Sequence, residues 1–325
     1  MKALNADQIR QLFNGIRRAP GRDARYAPHK PLLLLMALAR LQQGQTGLFA
    51  FADIESDLKQ LLTEFGPSNA PNTRHLPFWH LHSDEQGQLW DLELPPDLQH
   101  QPRGTAPNLT ALRREGVAGG FSAAVEKGLR SHPELIPTLA RDLLQSTFPD
   151  TLHEDIANAI GLDLTNTTPV FKDVEAGYQC GQRKQRNRAF RERVLRAYEY
   201  RCCICGFDLR LGHLPAGLEA AHIQWHTVGG PDIEPNGLSL CALHHKLFDL
   251  GAFTLEPSSL KVVFSEHAMS GDRGITGALQ HHGQDLLRPV GDQALPGPSY
   301  LKWNWVNVFK REARLLPLSL VGRDA

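Results

Sequence analysis

Apolar residues recur at helical spacing along most of the first half of the chain. Ile9, Leu12, Phe13 and Ile16 follow Asn5 and Asp7, either of which can cap, so the pattern predicts a helix from Asn5 to Ile16. A turn-rich segment then passes through Pro28 and Pro31 into an apolar helix over Leu32–Leu41. An amphipathic helix is expected over Ala52–Phe65 and a loop over Ser68–Asn72. The aromatic segment Arg74–Leu81 leads through a turn at Asp84–Gly87 into a strand-like Gln88–Leu92; in it Phe78 and Trp79 read as core, because alternate residues of such a segment point inward. Further helices are expected over Thr110–Glu115, Ala123–Ser131, Ile136–Ser146 and His153–Ile160. From about Asp163 to Gln182 the pattern dissolves into a polar, irregular stretch, read as a linker. A helix from Gln185 to Tyr200 follows, with Phe190, Val194, Leu195 and Tyr198 on one face.

With 325 residues, 41% of them apolar, the chain is long enough for about two domains. The pattern divides it into residues 1–165, a linker at 166–184, and residues 185–325. The longest apolar run, Leu32 to Ala39, is far short of the roughly 20 residues that span a bilayer. The polar start lacks the apolar stretch of a signal peptide, so a soluble, cytoplasmic protein is expected.

Charge changes the picture more. Lys and Arg number 35 and Asp and Glu 35, a balance that taken whole argues against a nucleic-acid binder. The average hides its parts. Arg17, Arg18, Arg22, Arg25 and Lys30 face the single acid Asp23 within 17–30. Arg183, Lys184, Arg186, Arg188, Arg191, Arg193, Arg196 and Arg201 face only Glu192 and Glu199, while acids gather at 53–64, 84–97 and 142–163. Such basic stretches can track phosphates; a charge run is usually just a solvated helix face, but for 183–201, beside the motif that follows it, phosphate contact is the favoured reading.

Five cysteines are present, four of them between 202 and 241. Cys202-x-x-Cys205 is followed by Cys241-x-x-His244, two short chelating pairs that fit a closed tetrahedral zinc site better than a disulfide scaffold. The competing reading is a set of ordinary buried thiols. Cys203 and Cys180 are assigned no chemistry. Between and after the half-sites lie Leu218-Glu-Ala-Ala-His222, a Gly229-Gly-Pro loop, Asn236-Gly-Leu-Ser-Leu-Cys241, and Ala242-Leu-His244-His245-Lys-Leu-Phe-Asp249-Leu-Gly251. They read as strand, loop, strand and helix, with Gly251 placed to end the helix. His245 and Asp249 are one helical turn apart on one face.

The order His222, Asn236, His245 within these half-sites resembles the HNH nucleases, whose ββα-metal unit hydrolyses phosphodiesters. The resemblance covers roughly residues 185–255. It implies that His222 is the general base, Asn236 orients the catalytic loop, and His245 is a ligand of a catalytic divalent cation, Mg or Mn. Asp249 is the candidate second ligand. Many members of that family carry Asp or His directly before the general base, where this chain has Ala221. Either Asp249 or Glu219 compensates, or His245, water and substrate hold the metal; Glu219 reads equally as a structural carboxylate. Trp225 and His226 are either DNA contacts or plain loop residues.

In the first half, Ala27-Pro-His29-Lys30-Pro, Leu76-Pro77-Phe-Trp79-His-Leu, Gly87-Gln-Leu-Trp90, Gly116-Val-Ala-Gly-Gly-Phe121 and the run Phe148–Ile156 with Gly161-Leu162 resemble the sulfur-binding domain of restriction endonucleases that recognise phosphorothioated DNA. That resemblance implies an apolar dent for the sulfur at Pro77, flanked by Leu76 and His80. It further implies backbone and base contacts from His29 and Lys30, and a backbone contact from Arg103. A tyrosine is common where Leu76 stands.

The expectation is therefore an α+β chain: a mainly helical sulfur-binding domain, then an HNH domain with structural zinc. It would act as a type IV-like endonuclease that binds phosphorothioated double-stranded DNA and cuts nearby. One HNH site per chain leaves dimerisation or sequential nicking as routes to a double-strand cut. Two other readings stay open: an HNH endonuclease that reads another modification or a sequence, and a zinc-stabilised DNA-binding protein without cleavage.

Overall fold

A computed structural model describes residues 4–16, 27–99, 106–114, 116–164, 189–269, 276–291 and 295–315. Arg103, Cys180, the linker at 166–184, and the arginines at 17, 18, 22, 25, 183, 186 and 188 lie outside these residues. The chain divides into two compact units, Met1–Val170 and Phe171–Ala325. No helix among the described residues is long and apolar enough to cross a membrane.

The first unit is mainly helical. Its opening helix, Ala6–Asn14, starts in a capping box: the Asn5 side chain accepts from the Gln8 amide, and the Gln8 side chain accepts from the Asn5 amide. The helix His29–Gln42 carries a nearly unbroken apolar run, Leu32 to Ala39, and all of it is buried. A helix apolar on every side belongs at the centre of a unit. This one packs against the helices Phe51–Phe65, His75–His80 and Leu135–Thr147. A small antiparallel sheet lies beside them, with Ala118–Phe121 paired on one edge to Phe49–Ala50 and on the other to Trp90–Glu93. Phe51, Phe78, Trp90 and Phe121 join sheet and helices through edge-on ring contacts.

Some expectations for this unit change. Residues 75–80 form a helix rather than an alternating segment, so the neighbours Pro77, Phe78 and Trp79 are all buried. The glycine-rich 118–121 is the central strand, and the expected helix at 110–115 is one turn, Leu109–Leu112.

In the second unit the strand Leu218–His222 pairs antiparallel with Gly237–Cys241, in a register that sets Leu218 opposite Cys241 and His222 opposite Gly237. The helix Ala242–Asp249 follows at once, and Gly251 beyond it takes φ +74. A Cβ at Gly251 would stand 2.1 Å from the Val308 carbonyl oxygen, so close approach as well as φ requires glycine. A helix over 189–197 buries Phe190, Val194 and Leu195 against these strands. Two elements unforeseen in the sequence complete the core: the hairpin Phe253–Leu255 with Val262–Phe264, and the helix Pro298–Asn307. The buried Asn304 of that helix accepts from the Thr254 hydroxyl at 2.7 Å and donates to the Ile223 carbonyl at 3.4 Å, just beyond His222.

Candidate functional site

Cys202, Cys205, Cys241 and His244 converge, with one donor atom of each lying within 4.8 Å of all the others. The first pair sits in a tight turn in which the Cys202 amide donates to the Phe207 carbonyl and the Gly206 amide to the Cys202 carbonyl. The second pair comes from the helix start, Cys241 being the cap and His244 lying in the first turn. The Cys205 and Cys241 sulfurs are 4.0 Å apart, and His244 Nδ1 lies 3.2 Å from Cys241 Sγ and 3.6 Å from Cys202 Sγ. A tetrahedral ion with bonds of about 2.3 Å to sulfur needs donor separations near ~3.7 Å, which these match. Three soft sulfurs and one imidazole make a donor set consistent with zinc. Cys203, between the first two, is fully buried, and burial pushes its thiol well above the usual range, so it stays protonated and inert.

His222 and His245 stand on different elements of the strand–strand–helix unit. His222 ends the first strand. Its Nε2 lies 2.8 Å from Asp232 Oδ1, and its ring stacks on Phe190 with centroids 4.1 Å apart and planes 17° apart. That stacking requires the helix over 189–197 to press close: a Cβ on Gly237, the residue opposite His222, would fall 2.4 Å from Val194 Cγ2. Burial lowers the His222 pKa, with the Asp232 hydrogen bond opposing, so the imidazole is held neutral and able to accept a proton near pH 7.

Asn236 is fully buried and ties the loop between the strands to itself. Its side-chain oxygen accepts from the Gln224 amide at 2.8 Å, and its nitrogen donates to the Gln224 and Pro231 carbonyls, each at 3.0 Å.

His245 Nδ1 meets Glu219 Oε2 at 2.5 Å, and its Nε2 lies 3.2 Å from Asp249 Oδ2. Burial works against charging this ring, yet the Asp249 and Glu219 carboxylates outweigh it and hold the pKa up, at about 10. Asp249 also acts on His222, raising its pKa by charge alone, and so lies within electrostatic reach of both histidines.

Three residues take places at this site that the sequence reading did not give them. Asp232 and Phe190 contact His222 directly. Arg193, read as a phosphate tracker, instead donates to the Asp232 carbonyl at 2.6 Å and pairs with Glu234 at 2.7 Å. Arg191 likewise donates to the Leu218 carbonyl at 2.9 Å. Arg196 and Arg201 remain exposed. The signal for Asp232 was its place beside Pro231, four residues before Asn236.

In the first unit, His29 Nε2 contacts the Thr73 hydroxyl at 2.9 Å, and Lys30 reaches the buried Asp84. Leu76 and His80 are half-buried and four apart on one helix, sharing a face, with Pro77 buried between them.

A paired strand–strand–helix that carries His222, His245 and a Cys3His cluster has the plan of a ββα nuclease domain. Comparison with known families agrees: residues 202–256 match the HNH endonuclease family, and residues 6–165 match the family described as ScoMcrA-like, DNA sulfur-binding domain. The chain carries a ScoMcrA-like DNA sulfur-binding domain followed by an HNH endonuclease domain. Among solved structures, the sulfur-binding domain of ScoMcrA complexed with phosphorothioated DNA is 24% identical, with 46% of this chain and 96% of that one covered and a TM-score of 0.38. The type IV phosphorothioation-dependent restriction endonuclease ScoMcrA is also 24% identical at a TM-score of 0.38, with 53% of this chain covered but only 32% of that longer one. The modification-dependent TagI restriction endonuclease is 23% identical, with 45% and 41% covered and a TM-score of 0.26. No curated protein matches the chain.

Proposed function

We propose that the protein is a modification-dependent restriction endonuclease, in which residues 1–165 hold phosphorothioated double-stranded DNA and residues 185–325 hydrolyse a phosphodiester nearby. The observation that carries the reading is the pair of family matches on one chain, supported by His222 at the end of one strand, Asn236 just before its partner strand and His245 in the helix that follows.

Sulfur is larger, more polarizable and more weakly hydrated than the oxygen it replaces. Leu76 and His80, half-buried on one face of a short helix with Pro77 buried beneath them, are the candidates for an apolar surface that takes it, while cations hold the remaining backbone. His29 and Arg103 are the candidates for those further contacts; Lys30, expected to share them, is instead turned onto the buried Asp84. Zero net charge keeps general affinity for DNA modest, so that one atom decides where the protein stays.

Zinc in the Cys202, Cys205, Cys241 and His244 cluster acts structurally, locking the start of the catalytic helix to the turn after residue 201. His245, on giving up the proton that the two carboxylates hold on it, and Asp249, with Glu219 adjoining, would hold the catalytic Mg or Mn, which when bound stabilises charge on the phosphate and the leaving oxygen. His222 takes the proton of a water as the water's oxygen bonds to phosphorus and the P–O bond to the leaving oxygen breaks. Asn236 keeps the loop that frames His222 in one shape. One such centre per chain makes double-strand cutting a matter of two copies or two successive nicks.

Matched duplexes with and without a single phosphorothioate test the reading, with binding and Mg²⁺- or Mn²⁺-supported cleavage measured for wild type and His222→Ala. Tighter binding and cleavage of the sulfur duplex is expected, with His222→Ala binding normally and cutting neither. Equal affinity for both duplexes would remove the sulfur from the account, and cleavage by His222→Ala would remove the general base.

A further inference from the structure

We infer that Asp232 is the positioning residue of the general base: its carboxylate accepts from His222 Nε2 and thereby fixes both the orientation of the ring and the nitrogen that carries the lone pair. This rests on His222 being the base, as proposed above.

A neutral imidazole has one donor and one acceptor nitrogen, and the hydrogen bond made by one determines the state of the other. An ionised carboxylate only accepts. At 2.8 Å from Asp232 Oδ1, Nε2 of neutral His222 therefore carries the hydrogen, and Nδ1 carries the lone pair that takes the proton from water.

The carboxylate is itself built into place. Arg193 reaches from the helix over 189–197 to the Asp232 carbonyl at 2.6 Å and, with its Nε, to Glu234 at 2.7 Å, so the loop is gripped on both sides of residue 233. Asn236 bonds the Pro231 carbonyl at 3.0 Å and both the amide and the carbonyl of Gln224, and the Ile223 amide donates to the Asn236 carbonyl at 2.9 Å. The loop carrying Asp232 is thus fastened to the two residues that follow His222. The same helix that supplies Arg193 supplies Phe190, whose ring covers one face of the imidazole. Face and edge are held together, which leaves the ring little freedom to turn. A group within reach of a metal could instead be a ligand. The Asp232 carboxylate, however, is engaged by the His222 ring, and the guanidinium of Arg193 occupies its backbone carbonyl.

The test uses the full chain. Asp232→Ala should lower the single-turnover cleavage rate at saturating metal by about 100-fold, the usual scale for a misplaced general base. DNA affinity and the metal concentration for half-maximal rate should stay within twofold of wild type. Arg193→Ala, which loosens the loop but keeps the carboxylate, should lose less. Nitrogen-15 spectra of histidine-labelled protein, with the His222 signals assigned by their absence in His222→Ala, should show the Nε2–H form in wild type and its loss in Asp232→Ala. A rate within threefold of wild type for Asp232→Ala, an Nδ1–H form in wild type, or a raised metal requirement would each overturn the assignment. If His222→Ala still cuts, the base has been misplaced; if His222→Ala is dead while Asp232→Ala is unimpaired, only the role of Asp232 fails.

Discussion

Lys30 Nζ lies 2.6 Å from Asp84 Oδ2, and the Asp84 side chain is 1% exposed. The ammonium is turned into the unit, and it ties the start of the helix His29–Gln42 to the turn after His75–His80. His29 ties the same helix to Thr73, ahead of that segment. The two adjacent side chains thus bracket the stretch that carries Leu76, Pro77 and His80. Removing one partner of a buried pair leaves the other charge uncompensated, at a cost of about 3 kcal/mol. Lys30→Met should lower the urea midpoint of the first unit accordingly, and Lys30→Met with Asp84→Leu should recover most of the loss. The salt dependence of DNA binding should keep its slope in Lys30→Met; a slope reduced by about one would put the ammonium on a phosphate.

An ion triad braces the same segment and gives it a pH dependence. Glu55 accepts from Arg113 Nε at 2.5 Å and from Arg74 Nε at 2.8 Å, and its side chain is 12% exposed. The Arg113 hydrogen bond, with burial opposing and Arg74 adding, brings its pKa from 4.5 down to about 2. Because the folded value is the lower one, the stabilisation is complete above pH 4.5 and is lost as pH falls through about 2. Discounted for solvent screening at this partly open site, it amounts to about 2 kcal/mol. Chemical unfolding of the first unit followed across that range should show the decline. Glu55→Gln should start less stable at pH 7 and be flatter in acid. An unchanged pH profile in Glu55→Gln would show that the arginine fork contributes nothing.

Much of this was legible in the sequence wherever chemistry or period fixes a position. The half-sites at 202–205 and 241–244 and the strand–strand–helix between His222 and Asp249 follow from ligand spacing and turn residues, and the helices of the first unit from their apolar repeats. What escaped was set by tertiary contact. The strands at 253–255 and 262–264 are three residues each, too short to display a period of two. The helix Pro298–Asn307 buries Asn304 and Asn307 along with Leu301 and Trp303, so its buried side carries no apolar stripe. Arg191 and Arg193 look in sequence like solvated cations, and only the folded loop shows that they bond backbone carbonyls. Asp232 offers only its place beside Pro231, because its role exists only once Asn236 has closed the loop onto Gln224.

Removing the zinc should unfold the second unit selectively. Structural ions of this kind contribute their binding free energy to folding. Cys202→Ser, or prolonged chelation of wild type, should release the metal, lower the melting temperature of the second unit and abolish cleavage. The first unit should keep its melting transition and its preference for the sulfur duplex. Metal content by mass spectrometry decides the matter, and full zinc occupancy in Cys202→Ser would refute the ligand set.

The last prediction concerns the acid missing before His222. Ala221 is fully buried in the hydrophobic core of the second unit, so a carboxylate there would have to be desolvated. Along a strand, residues two apart share a face, and two positions before Ala221 stands Glu219, its carboxylate on His245. The negative charge is supplied from one step back on the strand and from Asp249, one helical turn after His245. Glu219→Gln and Asp249→Asn should each raise the Mn²⁺ concentration for half-maximal cleavage, by about 10–100-fold. DNA binding without metal should be unchanged, and Ala221→Asp in the Glu219→Gln background should lower stability without restoring metal affinity. An unaltered Mn²⁺ requirement in both Glu219→Gln and Asp249→Asn would leave His245 as the sole protein ligand among these three.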